Sequence, residues 1–278
     1  MAAVSARGAV AVGVNGSPEA VIAVQWAVEA AHLRHLDGLV VCAYQISTTP
    51  GLTGESIAAS RNAADQVVSR VLSELTIPPS MKVGVLVELA SPVMLLRRVS
   101  KTAALLVIGG HHFNLIDQLL TGPVASPVAA QADCPVVVVP GAWRRTTTDS
   151  RPVVVALDGQ TPATVALDFA FAEAELRGCG VIALHAFALR EESSDQQRAT
   201  IAEVLAGHEQ NHPDIAVRTL FIPGEPEDAI IDQSFSAAMI VVGRPHRRRF
   251  GFWTRSVAKA VLDHTRCPLV VVPGTLHG

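Results

Sequence analysis

Cys134-Pro135-Val136-Val137-Val138-Val139-Pro140-Gly141 and Cys267-Pro268-Leu269-Val270-Val271-Val272-Pro273-Gly274 are one phrase written twice. Short β-branched runs with no polar interruption suit strands buried on both faces, as in a parallel sheet. Working back from each phrase, a second matched pair appears. Val10-Ala11-Val12-Gly13-Val14-Asn15-Gly16 stands against Val153-Val154-Val155-Ala156-Leu157-Asp158-Gly159. Each half thus opens on a strand ending in Asn-Gly or Asp-Gly and closes on a valine strand. The chain is two similar units in tandem, expected as domain 1 over residues 1–143, a linker over 144–150 and domain 2 over 151–278.

Between these ends, strands alternate with helices. In the first half, strands are expected over residues 9–14, 39–43, 81–88, 104–108 and 136–139. Ser17-Pro18-Glu19 opens the first helix with a capping hydroxyl, a proline at its first position and an early acid. Gly38 is expected to end that helix. Residues 47–55 form a polar loop, and 57–75, a stretch after Ser91-Pro92, and 124–132 are helical. The second half repeats the order, with strands over 153–157, 181–186, 215–221, 239–242 and 269–272, and Thr161-Pro162 in the place of Ser17-Pro18. Alternating strands and helices give parallel βαβ units. The fold class is therefore α/β: two tandem doubly wound domains, each a five-stranded parallel sheet flanked by helices, Rossmann-like. Such sheets hold ligands outside the carboxyl ends of their strands. Those ends are Asn15, Ala43 and Gly109 in one half and Asp158, Ala186 and Gly243 in the other. The first two of each set lie 28 residues apart in both halves.

Composition agrees. Of 278 residues, 49% are hydrophobic, 17% charged and 4% aromatic, and mean hydropathy is +0.35. This is a core-rich chain, not a disordered one. A net charge of −3 argues against a dedicated nucleic-acid binder. No apolar run approaches the roughly 18 residues of a membrane span. Cys42, Cys134, Cys179 and Cys267 have no metal-ligand spacing and read as reduced, mostly buried thiols in a cytoplasmic protein.

With these residues in view, the chain resembles the universal stress protein family in its tandem two-domain form, over nearly its whole length. The resemblance implies the adenine nucleotide alpha hydrolase-like variant of the fold and an ATP site. Members carry Asp-Gly after strand 1. Many carry Gly-x-x-Gly, nine residues, then Gly-Ser or Gly-Thr after strand 4, where glycines admit the phosphates and a helix N-terminus supplies N–H donors. The strand-1 acid accepts hydrogen bonds from the adenosine, and the end of strand 2 frames the adenine. Carried over, the first-half candidates are Asn15, Ala43, Gly109, His112, Gly122, Pro123 and Val124. Those of the second half are Asp158, Ala186, Gly243, His246, Arg255, Ser256 and Val257.

The pattern is altered in both copies. Asn15 replaces the acid, His112 and His246 replace the second glycine, Pro123 replaces the hydroxyl residue, and Arg255 replaces the glycine before Ser256. Proline removes an N–H donor from a phosphate site. Arg244, Arg247, Arg248, Arg249 and Arg255 put compensating charge near the second phosphate end. The cofactor implied is ATP, with magnesium if bound.

Other features have plainer readings. His111-His112 lacks a carboxylate or cysteine at ligand spacing, so it is a polar loop and no metal site. Arg247-Arg248-Arg249 has no nucleic-acid-reading context and fits a surface loop or a small phosphate. Phe252 and Trp253 fit packing rather than ligand stacking. Asp158 is either a ligand-binding acid or a turn residue beside Gly159. Cys134 and Cys267 fit buried turn positions better than redox sensors. No P-loop, dinucleotide fingerprint or nucleophile elbow is present.

The function expected is therefore that of a non-catalytic, stress-response regulator of the ATP-binding kind, with degraded nucleotide motifs. Its alternatives are a scaffold with vestigial pockets acting through protein contacts, or a slow ATPase. The partners expected are an adenine nucleotide and unidentified proteins, with neither nucleic acid nor membrane. In the family the final strands join the two domains within the chain, and a homodimer of tandem chains is also compatible.

Overall fold

The computed structural model describes residues 7–45, 54–110, 124–144, 149–159, 163–187, 195–244, 261–262 and 264–274. The chain divides into two compact units, parted in sequence between Arg145 and Thr146. Unit 1 runs β1 (Val10–Gly13), α1 (Pro18–Leu33), β2 (Gly38–Tyr44), α2 (Gly54–Ser73), β3 (Val83–Leu89), α3 (Pro92–Ser100), β4 (Leu105–Gly110), α4 (Ala125–Gln131) and β5 (Val136–Pro140). Unit 2 runs β6 (Val153–Ala156), α5 (Thr164–Arg177), β7 (Val181–Phe187), α6 (Asp195–Asn211), β8 (Val217–Pro223), α7 (Pro226–Gln233), β9 (Met239–Gly243) and β10 (Leu269–Val272).

Within unit 1 the strands lie in the order β3-β2-β1-β4-β5, and within unit 2 in the order β8-β7-β6-β9-β10. Every pairing inside a unit is parallel. The chain steps outward from the first strand through the second and third, then crosses back to place the fourth on the first strand's other side. The switch points are therefore β1/β4 and β6/β9. The doubly wound α/β class read from the sequence is the observed one.

The valine runs are the core. Val136, Val137 and Val139 of β5 and Leu269, Val270 and Val272 of β10 are fully enclosed, as two-sided burial requires. Helix α1 lies on this surface through Ala20, Ala23, Val24, Ala27, Ala30 and Ala31. These small residues recur at helical spacing and let the helix come close to the sheet. Trp26 and Phe171 are the largest fully buried side chains among the described residues, one in the first helix of each unit.

Duplication extends to side-chain detail. The Ser100 hydroxyl accepts from Asp133 N at 3.0 Å and donates to Arg97 O at 2.8 Å. The Ser234 hydroxyl accepts from Arg266 N at 3.0 Å and donates to Ile231 O. Each buried serine thus ties a helix end to the turn before the unit's last strand. Cys134 and Cys267 sit in those turns, buried, and burial pushes both thiols up to about 12. Thiols so resistant to ionisation are poor redox sensors, consistent with their reading as turn residues.

Two local expectations are corrected. Helix α1 ends at Leu33, before Gly38, and the left-handed residue is His35, with φ +53. His35 N donates to His32 O and Leu36 N to Ala31 O, the paired bonds of a Schellman motif. Unit 2 closes α5 in the same way with Gly178 at φ +63 and Cys179 N donating to Ala174 O. Gly38 opens β2 instead. Helix α5 begins at Thr164 with Ala163 at its N-cap and no side-chain cap; the expected capping pair Thr161-Pro162 lies outside the described residues. Ser17 does cap α1, accepting from Ala20 N at 3.3 Å. Strands β3 and β8 start two residues late because Met81 N and Ile215 N close turns onto Pro78 O and His212 O.

Candidate functional site

Parallel pairing continues one residue past the first strand of each unit. Val14 N donates to Val41 O at 2.9 Å and Leu157 N to Leu184 O at 2.8 Å. Asn15 and Asp158 therefore stand at the carboxyl edge of their sheets. Gly16 and Gly159, at φ +83 and +67, then turn the chain away in a conformation that glycine adopts without penalty. Ala43 lies on β2 level with Glu88, and Ala186 on β7 level with Ile222. Gly109 and Gly243 each sit one residue beyond the β4 or β9 partner of the first strand's last residue. The register thus brings Asn15, Ala43 and Gly109 to one switch point and Asp158, Ala186 and Gly243 to the other.

The two places are not alike. In unit 1, Asn15 is exposed, and its side-chain oxygen accepts from Ser17 N at 3.1 Å. That is an Asx turn, which leads directly into the Ser17 cap. Helix α1 starts only four residues after β1, and its first turn rests on the end of β4. A Cβ on Gly109 would meet Glu19 O at 3.0 Å and the Glu19 carbonyl carbon at 3.1 Å. Gly109 is itself half-buried, and a side chain there would press on the backbone of α1.

In unit 2, α5 starts seven residues after β6 ends. Asp158 is half-buried. Gly243 is exposed, and among the described residues a Cβ there would meet only Ala166 Cβ, at 3.8 Å. Beneath Gly159 lies an aromatic cluster. The His185 ring stands edge-on to Phe221 at 5.9 Å and stacks with Phe187 at 6.5 Å. The Arg198 guanidinium covers Phe221 at 4.2 Å, a cation–π contact.

At the opposite, amino end of the unit-2 strands, Arg151 grips Asp149 bidentately, Nε to Oδ1 at 2.8 Å and Nη2 to Oδ2 at 2.6 Å. The hydrogen bonds from Arg151 hold the Asp149 carboxyl below its ordinary range. This pair ties the segment before β6 to itself and lies away from the switch point.

His112, Gly122, Pro123, His246, Arg255, Ser256 and Val257 lie outside the described residues, as do His111, Arg247–Arg249, Phe252 and Trp253. Val124, the last candidate of the first set, is the uncapped N-cap residue of α4. His185 is not among the sequence candidates. Its signal is present all the same: one histidine inside an otherwise apolar strand, next to Ala186, where unit 1 has Cys42.

A doubly wound sheet in each unit, with an acid or amide after the first strand and a glycine ending the fourth, is an α/β class whose ligands, where bound, sit at the strand ends. The model of the universal stress protein family matches residues 7–140 and again 150–273, and the chain belongs to that family. A universal stress protein of Mycolicibacterium smegmatis is 28% identical, with 94% of this chain and 95% of that protein covered. A universal stress protein of Archaeoglobus fulgidus superposes with TM-score 0.73 at 16% identity, over 96% of this chain and 97% of that one. A shorter universal stress protein of the same organism, solved in complex with dAMP, covers 45% of this chain and 98% of its own, at 27% identity and TM-score 0.35. No helix among the described residues is long and apolar enough to cross a membrane.

Proposed function

We propose that this protein is a non-catalytic stress-response regulator that binds ATP in unit 2, with the strand-end site of unit 1 vestigial. The observation that carries this reading is the contrast at the fourth-strand glycines. Gly109 is stopped by the Glu19 backbone, while Gly243 is exposed and, among the described residues, has only Ala166 near it. A phosphate chain needs a backbone it can approach closely, and of the two glycines Gly243 is the one that offers it.

In this reading the Asp158 carboxylate accepts from the ribose hydroxyls, and the β7 backbone at Ala186 frames the adenine. Arg244 follows Gly243 directly, and the sequence adds Arg247, Arg248, Arg249 and Arg255 within the next eleven residues, a run of positive charge suited to phosphates. Magnesium travels with the phosphates: among the described residues, no group of three His, Cys, Asp or Glu side chains is placed to hold a metal alone. Unit 1 acts as a structural partner, its Asn15 engaged in its own turn.

Equilibrium dialysis of the intact chain against MgATP tests the proposal. One nucleotide per chain is expected, without ADP formation on prolonged incubation. No binding at millimolar MgATP would remove the nucleotide role and leave the scaffold reading. Steady turnover would instead make the protein an enzyme.

A further inference from the structure

We infer that His185 is the positioning residue of the unit-2 site: it braces the strand-end turn that carries Asp158, an inference resting on the nucleotide reading above. His185 is 2% exposed within β7, and a buried imidazole is costly unless its polar atoms are used. Its Nδ1 lies 2.9 Å from Leu157 O, 28 residues away in the chain. A carbonyl oxygen only accepts, so Nδ1 carries the proton and donates. Its Nε2 is buried with no partner among the described residues. With Nδ1 donating and Nε2 facing no partner, the geometry places the donor proton on Nδ1.

The consequence falls on the peptide just before the acid. Leu157 donates its N–H to Leu184 O at 2.8 Å and accepts at its carbonyl from His185. Both polar groups of that residue are therefore held by β7. The following turn rests on the same ring, for the His185 Cε1 atom lies 3.1 Å from where a Gly159 Cβ would stand. The ring cannot easily tilt, being set between Phe187 and Phe221, with Arg198 over the latter. A turn held in advance loses less freedom when Asp158 engages a ligand.

Unit 1 lacks the device. The aligned residue is Cys42, whose weak thiol donor lies 4.0 Å from the neighbouring Ala43 O within its own strand. Asn15 is held instead by the local Asx turn. The brace thus accompanies the acid and the open glycine in the same unit.

The test uses the full-length protein with His185→Cys, which installs the unit-1 residue, and His185→Asn, whose amide keeps an N–H near the Nδ1 position. MgATP affinity by calorimetry and hydrogen–deuterium exchange at residues 156–159 are the readouts. Replacing the histidine by cysteine is expected to weaken MgATP about tenfold, the effect of one lost hydrogen bond, and to speed exchange at the turn. The asparagine variant is expected to restore most of both. Equal losses in the two variants, or unchanged affinity in His185→Cys, would overturn the brace. If wild-type protein binds no MgATP, the nucleotide reading fails, and exchange then decides alone. Protection lost with cysteine and kept with asparagine sustains the brace, and protection equal in all three proteins refutes it. Nitrogen-15 NMR of the wild-type imidazole needs no variant: an Nε2–H tautomer would contradict the inferred donor.

Discussion

Unit 1 and unit 2 share strand order, register and the buried serine tie, yet they differ at the switch point. In unit 1, Ser17 and Pro18 start α1 after a connection of four residues, and the backbone of the helix's first turn lies close to Gly109. In unit 2 the helix starts later, without a side-chain cap, and Gly243 stays exposed. The lesson is that the seating of a helix start decides how much room a fourth-strand glycine keeps.

The comparison can be tested at its base first. Trp26→Ala and Phe171→Ala each remove a large, fully buried side chain from their unit's first helix, and each is expected to cost about 3–5 kcal/mol. Hydrogen exchange read separately in each unit would show it. A cost below about 1 kcal/mol in either would mean that helix is not anchored as described.

At the strand ends the expected effects diverge. Asp158→Ala should weaken MgATP by about 10- to 100-fold, the loss of hydrogen bonds to a charged group, while Asn15→Ala leaves affinity unchanged in the same titration. The reverse pattern would move the site to unit 1. The glycines should diverge in the opposite sense. Gly109→Ala forces a methyl against the Glu19 backbone and should cost about 1–3 kcal/mol. Gly243→Ala should change stability by less than about 0.5 kcal/mol, and thermal melts of the two variants decide between them.

The helix ends offer a finer test. His35→Gly should stabilise unit 1, and Gly178→Ala destabilise unit 2, each by about 1 kcal/mol, because both positions hold φ in the left-handed region. Denaturant midpoints that move in the same direction would refute the shared motif. Finally, unit 2 has an acid-sensitive pair. Asp149 titrates below its ordinary value because Arg151 donates to it. A lowered folded-state value stabilises the fold above the ordinary aspartate range, and that contribution is lost as the pH falls. Asp149→Asn should remove the corresponding part of the melting-temperature decline between about pH 5 and 3.

Much of this architecture is legible in the residues themselves. The valine phrases, the matched Asn-Gly and Asp-Gly turns and the alternation of patterns imply parallel sheets, because two-sided burial and short apolar runs leave few other solutions. The Ser17-Pro18 cap is equally plain, since its chemistry is local. Gly38 misleads because histidine also tolerates the left-handed region, and which of the two ends a helix depends on where the next strand must begin.

The residues alone determined the fold, its duplication and the set of strand-end positions, because hydrophobic period and turn chemistry are local properties summed along the chain. Tertiary structure decided which strand end stays open. Whether a glycine faces solvent or the carbonyl of residue 19, and whether a buried imidazole meets a carbonyl 28 residues away, depends on how helices seat on a finished sheet. No local pattern encodes that distance.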